Sequence, residues 1–420
     1  MVVLSDQSIT RDVFQGPDVV DRPARVDVTD LEQQCTDIVF GSGPAWKEQR
    51  KFFLSVFRGF GVEQSSFENR ITDEAAAAAD EFKKCLEQPF NPKRILARGT
   101  ANIICGILLG KRYNYNDIEF NRIHDLTKET LRLNLAGGLI TNIPLLKYLM
   151  PNVAEKRRLC KMELHQIVSS IIEDHKKRLG TTGDKEAGDC IDAYILEMNQ
   201  ERIKGTTRYF TDENLVANVA NLFIAGTETS ANTLAWSLLY MAAYPGIQQH
   251  IHKEIDSEVG QNKMVTASDA PNLPYLQATM LEVQRIRPVA PLSAPHTNPV
   301  ETTINGYTIP AKTVVTANIW AIHHDRQVWD HPEQFRPERF LKEQSGSTVV
   351  CGQEKIMPFS IGRRICAGEK IARLELFLIF ASLLQRFRIT LPDDNTVPDF
   401  STNDGVTSEP HDFQIRAYQR

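Results

Sequence analysis

The sequence predicts a mainly α protein with a small β part, and three observations lead there. Apolar residues recur at helical spacing through most of the chain. One unbroken helical pattern, 212–243, is unusually long: thirty or so residues at 1.5 Å each give about 45 Å, enough to cross a whole domain. The strand-like runs are few and late, at 301–304, 307–309, 313–317 and 387–391. Neither an internal repeat nor a low-complexity linker divides the chain, so residues 1–420 read as one domain.

Taken in order, helices are expected over 45–57, 66–86, 95–109, 117–135, 153–179, 190–201, 212–243, 247–259, 276–286 and 368–387. The long one has its own punctuation. Thr211 is a good N-cap, Asp212 and Glu213 favour the positive end of the macrodipole, and Pro245 follows the last turn. Asn305-Gly306 between two strand runs predicts a type I′ hairpin. Gly, Ser, Thr and charge mark 180–188 and 342–352 as loops.

Composition excludes several classes. A net charge of −5 and a pI near 6.1 give no support for nucleic-acid binding, which needs a basic excess. The seven cysteines, at 35, 85, 105, 160, 190, 351 and 366, form no Cys-x-x-Cys pair, which argues against a zinc site. Their odd number and wide spacing suit reduced thiols. No apolar run reaches the 18 or so residues of a membrane span, and Met1-Val2-Val3-Leu4 does not read as a signal peptide.

The chemistry concentrates in Phe359-Ser360-Ile361-Gly362-Arg363-Arg364-Ile365-Cys366-Ala367-Gly368. This loop places a cysteine just before an amphipathic run, where free backbone N–H groups and the helix dipole favour a thiolate. Gly362 permits a turn at positive φ, and Gly368 lets a flat cofactor approach the backbone. Arg364 is placed to pair an anion beside the sulfur. A lone cysteine is more often a buried small hydrophobe. Here the whole string resembles the haem-binding loop of the cytochrome P450 monooxygenases (Phe-x-x-Gly-x-Arg-x-Cys-x-Gly) at every fixed position.

That resemblance implies the cytochrome P450 fold, with a long central helix over haem b (iron protoporphyrin IX) and Cys366 as the iron ligand. Phe359, Arg364 and Gly368 would contact the cofactor from the same loop. Ala225-Gly226-Thr227-Glu228-Thr229-Ser230, midway along the long helix, is similar to the family's oxygen-binding groove. By that likeness Thr229 would bond the bound oxygen species and Glu228 would relay protons. Ala225 and Gly226 would leave room above the iron. A threonine hydroxyl bonding back one turn would open the helix locally, with a bound water satisfying the freed group; taken alone, the segment reads equally well as a threonine-rich patch packing on a neighbour.

Glu282 and Arg285 lie three apart on one helix face. The family pattern joins them to Arg339 in a buried, structural ion triad. Trp46 and Arg50, at i and i+4, match the helix that faces a haem propionate, and His296 matches a second propionate-binding position. Lys47, Lys51, Lys370 and Arg373 could form a basic face toward an acidic flavoprotein, since the chain carries neither a dinucleotide fingerprint nor a P-loop of its own.

The likeness is nearest to the microsomal animal drug- and steroid-hydroxylating group, supported by 46–50, 189–194 and 332–335. It implies insertion of one atom of O2 into a lipophilic molecule (hydroxylation, epoxidation or dealkylation). Electrons would come from NADPH through a flavoprotein reductase, on the cytosolic face of the endoplasmic reticulum membrane. The matching substrate-facing segments are 25–34, 135–141, 218–225, 289–293 and 404–408, and 135–150 could touch a membrane surface. The anchor, first helix and first sheet strands of relatives have no counterpart before Val2, so the full-length form is expected to carry them. Two alternatives stay open: a haem-thiolate isomerase or dehydratase, and a truncated, haem-deficient product acting through partner or membrane binding.

Overall fold

The long segment forms one continuous helix, and the rest of the molecule is arranged around it. The computed structural model describes residues 1–23, 36–62, 65–142, 151–182, 186–205, 209–403 and 405–420. The expected segment 25–34, the part 143–150 of the expected segment 135–150, and residue 404 of 404–408 lie outside them. Helices in chain order are α1 (Gln7–Gln15), α2 (Gly43–Phe57), α3 (Ser65–Lys84), α4 (Lys93–Leu108), α5 (Ile118–Asn142), α6 (Pro151–Thr182), α7 (Cys190–Lys204), α8 (Asp212–Ala243), α9 (Pro245–Glu258), α10 (Pro274–Ile286), α11 (Ile319–His323) and α12 (Glu369–Arg386).

The Thr211 side chain accepts from Asn214 N–H and caps α8, and Tyr244 separates it from α9, where Pro245 sits in the first turn. Through most of its length α8 is buried, packed against α4, α6, α10 and α12. Phe53, Phe82, Tyr194, Trp236 and Phe380, from five helices, belong to the main core beside it. Threonine and serine hydroxyls bond back one turn along α8, as Thr227 to Phe223, Thr229 to Ala225 and Ser237 to Thr233. The expected local opening does not occur, because these bonds supplement the backbone ladder without replacing it.

The β part is small and divided. β1 (Val2–Leu4) runs parallel to β5 (Val314–Ala317), which pairs antiparallel with β2 (His296–Thr297). β3 (Thr302–Ile304) and β4 (Tyr307–Ile309) form the expected hairpin, with Asn305 and Gly306 at φ of 48° and 82°. The region 342–352, expected as a loop, is a second hairpin of β6 (Leu341–Gln344) and β7 (Ser347–Val350). Ser345 and Gly346 take φ of 53° and 84°, so Ser-Gly does the work of Asn-Gly there. Its strands are largely exposed and polar, which hid the alternation. β8 (Phe387–Thr390) pairs with β11 (Arg416–Gln419), and β9 (Thr402–Asn403) with β10 (Glu409–Pro410).

No helix among the described residues is long and apolar enough to cross a membrane.

Candidate active site

Cys366 lies between a 3-10 turn (Gly362–Arg364) and α12, whose N-cap is Gly368. The turn packs against the end of α1. Gly362 has φ +77°, and a Cβ there would stand 2.0 Å from the Phe14 carbonyl oxygen, so no other residue fits without moving α1. Cys366 N–H donates to Phe359 O at 3.0 Å, closing the loop. The Phe359 ring lies under the Arg373 guanidinium at 4.8 Å.

Cys366 is solvent-accessible, yet it is enclosed deeply enough that burial raises its thiol pKa. Both hold when sulfur faces an internal chamber instead of the outer surface. The Gly368 backbone N–H and the charge of Arg50 both favour the thiolate. Burial outweighs them in the metal-free protein. A coordinated metal would supply what is missing. A Cβ on Gly368 would meet only Cys366 Sγ, at 4.0 Å, so open space lies beside the sulfur.

A group of cations stands at the rim. Arg364 donates from Nε to Val20 O and from Nη2 to Gly41 O, while its buried Nη1 has no partner. Arg50 donates to Ile365 O at 2.6 Å. Arg22, which sequence reasoning missed, donates to the carbonyls of Val39, Ala294 and Pro295. Burial lowers Arg22 to about 10, with a further push from Arg50. Burial also lowers Arg364 to about 9, with Arg22 and Arg50 adding to it and Asp21 opposing. Arginines crowded this way, held by neutral carbonyls, call for an anion.

His296 Nδ1 lies 3.0 Å from Val19 O, and its ring stacks on Phe14 at 4.1 Å. Burial and the neighbouring Arg22 and Arg364 depress it to about 3, so the free ring is neutral. With Nδ1–H donating to Val19, Nε2 would hold a carboxylate only when protonated, which an arriving anion favours. Trp46 departs from expectation. Its Nε1–H is taken by Ile38 O at 3.1 Å, and its ring carries the Arg364 guanidinium 3.4 Å above it. Trp46 therefore supports the arginine, and its own donor does not face the chamber.

Across from the loop, α8 has one uncovered stripe. Ala225 is exposed and Asn221, Leu222, Ile224, Gly226 and Thr229 are half-buried, while Phe223, Thr227, Glu228 and Ser230 are buried. At about 100° per residue, Asn221, Ala225 and Thr229 fall within about 80° of one another. Gly226 serves a different purpose from the one expected: its Cβ would lie 2.5 Å from Ile104 Cδ1, so it admits α4 to close packing. Ser230 donates to Glu375 Oε2 at 3.2 Å and ties α8 to α12. Glu375 lies seven residues past Gly368, about 10 Å along the helix. Burial raises its carboxyl to about 8. Glu228 is buried, and desolvation raises it to about 7.

Behind the loop, Glu282 accepts from Arg285 Nε at 2.7 Å and Nη2 at 2.8 Å, and from Arg339 Nε at 3.0 Å. Arg285 Nη1 donates to His323 O, while His323 Nε2 accepts from Met357 N–H. The triad thus reaches the segment that leads into Phe359.

An accessible sulfur set deep in the protein, a bare glycine beside it and, at the rim, arginines with no ion pair among the described residues fit a flat, dianionic cofactor with a thiolate-loving metal. That combination on this helical fold defines a haem-thiolate enzyme. The cytochrome P450 family profile matches residues 1–417, and the chain belongs to that family. It is 36% identical over 424 aligned residues to human cytochrome P450 2U1, an alignment covering 100% of this chain and 77% of the relative. Mouse cytochrome P450 2J5 is 35% identical, over 91% of this chain and 75% of its own length. Human cytochrome P450 2J2 is 36% identical, over 90% and 74%. The protein is thus a haem b-binding monooxygenase, an oxidoreductase that uses O2 on lipophilic substrates with electrons from a redox partner.

Proposed function

We propose that the whole of 1–420 acts as one monooxygenase domain in which Cys366 ligates the haem iron. The observation that carries this is the accessible Cys366 sulfur at the N-terminus of α12, with Arg50, Arg364 and Arg22 grouped at the loop. Bound haem supplies reductive activation of O2, with thiolate donation favouring O–O cleavage. The chain's own residues do the rest. Arg364 Nη1, Arg22, Arg50 and a protonated His296 would neutralise the two propionates. Thr229, its hydrogen donated to Ala225 O, keeps hydroxyl lone pairs toward the chamber. Glu228 holds a proton near neutral pH and can release it inward.

The reductase reading rests on charge. Lys47 and Lys51 are exposed one turn apart on α2, and Lys370 is exposed at the start of α12 near the cysteine loop. Arg373 is paired with Glu369 and adds less. An acidic, NADPH-dependent flavoprotein fits this face. The described part of the substrate-facing segments is mostly apolar, which favours a lipophilic substrate and O-insertion chemistry of the hydroxylation type. The kinship also supports residence at the endoplasmic reticulum membrane. The non-catalytic alternative gains no support from the site.

The test is charge reversal. Lys47→Glu with Lys370→Glu should raise the reductase concentration for half-maximal reduction about tenfold at low salt, while haem content stays unchanged. An unaltered salt-dependent reduction rate would remove this face from the reading.

A further inference from the structure

Two buried polar atoms without hydrogen-bond partners face each other beside α8. They are Glu228 Oε1 and His124 Nε2, 3.5 Å apart, on side chains only 8% and 12% exposed. The other ring nitrogen, Nδ1, lies 3.6 Å from Asp125 Oδ1, whose side chain is 68% exposed. One imidazole therefore stands between a carboxyl of the interior and a carboxylate of the surface. Its two nitrogens point to opposite ends of that path.

The charged surroundings leave the path open. Lys93 from α4 is engaged by Glu409 and Asp412, and Lys128 reaches Glu409 at 3.5 Å. Lys128 and Lys93 pull Glu228 down while Glu409 pushes it up, and burial dominates. Around His124, Asp125 raises the pKa, Lys128 and Arg94 lower it, and burial again wins. The imidazole is thus neutral near neutral pH, and Glu228, at about 7, is shared between its two forms. Position 228 also lies at the flank of the uncovered α8 stripe, about 20° from Asn221 around the helix axis. Rotation about its side-chain torsions is the motion that would turn its carboxyl from His124 toward that stripe.

We propose that His124 carries solvent protons to Glu228, with Asp125 as the outer collector. The transfer balances without a co-reactant. Nδ1 takes a proton at the Asp125 end as Nε2 yields one to the Glu228 carboxylate, and the ring is left as its other neutral tautomer. Glu228 then turns as a neutral acid, gives up its proton at the Thr229 side and returns as carboxylate. A ring flip or tautomer exchange resets His124. The inference rests on Glu228 serving as the inner acid. His124 itself acts through Glu228 and touches neither substrate nor cofactor.

The test uses ferric holoprotein and follows the carboxylic C=O stretch of Glu228 by infrared difference spectroscopy on transfer to D2O, with Glu228→Gln identifying the band. His124→Phe fills the ring space and cannot relay. It should slow deuteration of that band on the order of a hundredfold, and it should raise the peroxide released per NADPH in turnover. His124→Gln, which keeps polarity, should behave as His124→Phe does. Asp125→Asn, at the surface, keeps the relay testable if the buried variants fold poorly, and should slow exchange by a smaller factor. Deuteration as fast as the parent's in His124→Gln overturns the relay. If Glu228→Gln leaves coupling intact, the inner-acid reading fails instead, so the two failures are separable.

Discussion

Replacing Glu282 with Gln would strand two buried arginines. Glu282 and Arg285 are fully buried and the Arg339 side chain is 4% exposed, so water cannot take the carboxylate's place. Gln keeps the volume but brings no charge, and its NH2 would face guanidinium donors where an acceptor stood. Arg336 N–H, now bonded to Glu282 Oε1 at 2.9 Å, also competes for the remaining oxygen. Breaking a buried pair on one side costs about 3–5 kcal/mol. An unfolding entropy of about 2.1 cal/mol/K per residue over 420 residues comes to roughly 0.9 kcal/mol/K, so Tm should fall by about 3–6 °C. The loss should travel. Arg285 holds His323 O and His323 holds Met357 N–H, just before the cysteine loop. Thermal unfolding of the holoprotein, read by circular dichroism and by haem release, checks both parts. A Tm shift below about 1 °C with full haem retention would refute the reasoning.

Two further outcomes follow from the site. Glu375 is buried with its carboxyl raised from 4.5 to about 8, so the folded state holds a proton that the unfolded state loses in that window. Its contribution therefore worsens as pH climbs from 4.5 to about 8, by up to roughly 5 kcal/mol. Glu375→Gln should be more stable than the parent above pH 8 and no more stable below pH 4.5, in melts compared across pH. A pH-independent difference would contradict this. Trp46→Phe keeps the face under Arg364 and loses only the bond to Ile38 O, so it should cost about 1 kcal/mol and retain haem. Trp46→Ala should lower haem per chain, as measured by pyridine haemochrome. Equal haem loss in both would restore the indole N–H as the contact.

Particular residues show what the sequence carries and what only packing decides. The bounds of α8 were legible because Thr211, Asp212, Glu213 and Pro245 act locally, and the Asn305-Gly306 hairpin for the same reason. The ten-residue cysteine loop was legible because each fixed position meets its own requirement; Gly362 proves the strictest, against Phe14 O. α1 was missed although Asp6 caps it by accepting from Ile9 N–H and one of its faces is clearly apolar, since its nine residues fall below the roughly 10–12 over which a helical pattern is read. β1 and β2 were missed because their pairing with β5 is long-range and only two or three residues deep. Arg22 carried no local signal at all: distant carbonyls of Ala294 and Pro295 bring it to the rim. Gly226 was misread because small residues look alike whether they leave a cavity or admit a neighbouring helix. His124 matters only through its nearness to Glu228, which no spacing along the chain could reveal.

The most direct test is the spectrum of reduced, carbon monoxide-bound protein beside that of Cys366→Ser. The account predicts the red-shifted Soret band of thiolate-ligated haem in the parent and its disappearance in the variant, with haem per chain falling too. A variant that kept both the band and a full complement of haem would show that another group holds the iron, and would contradict it.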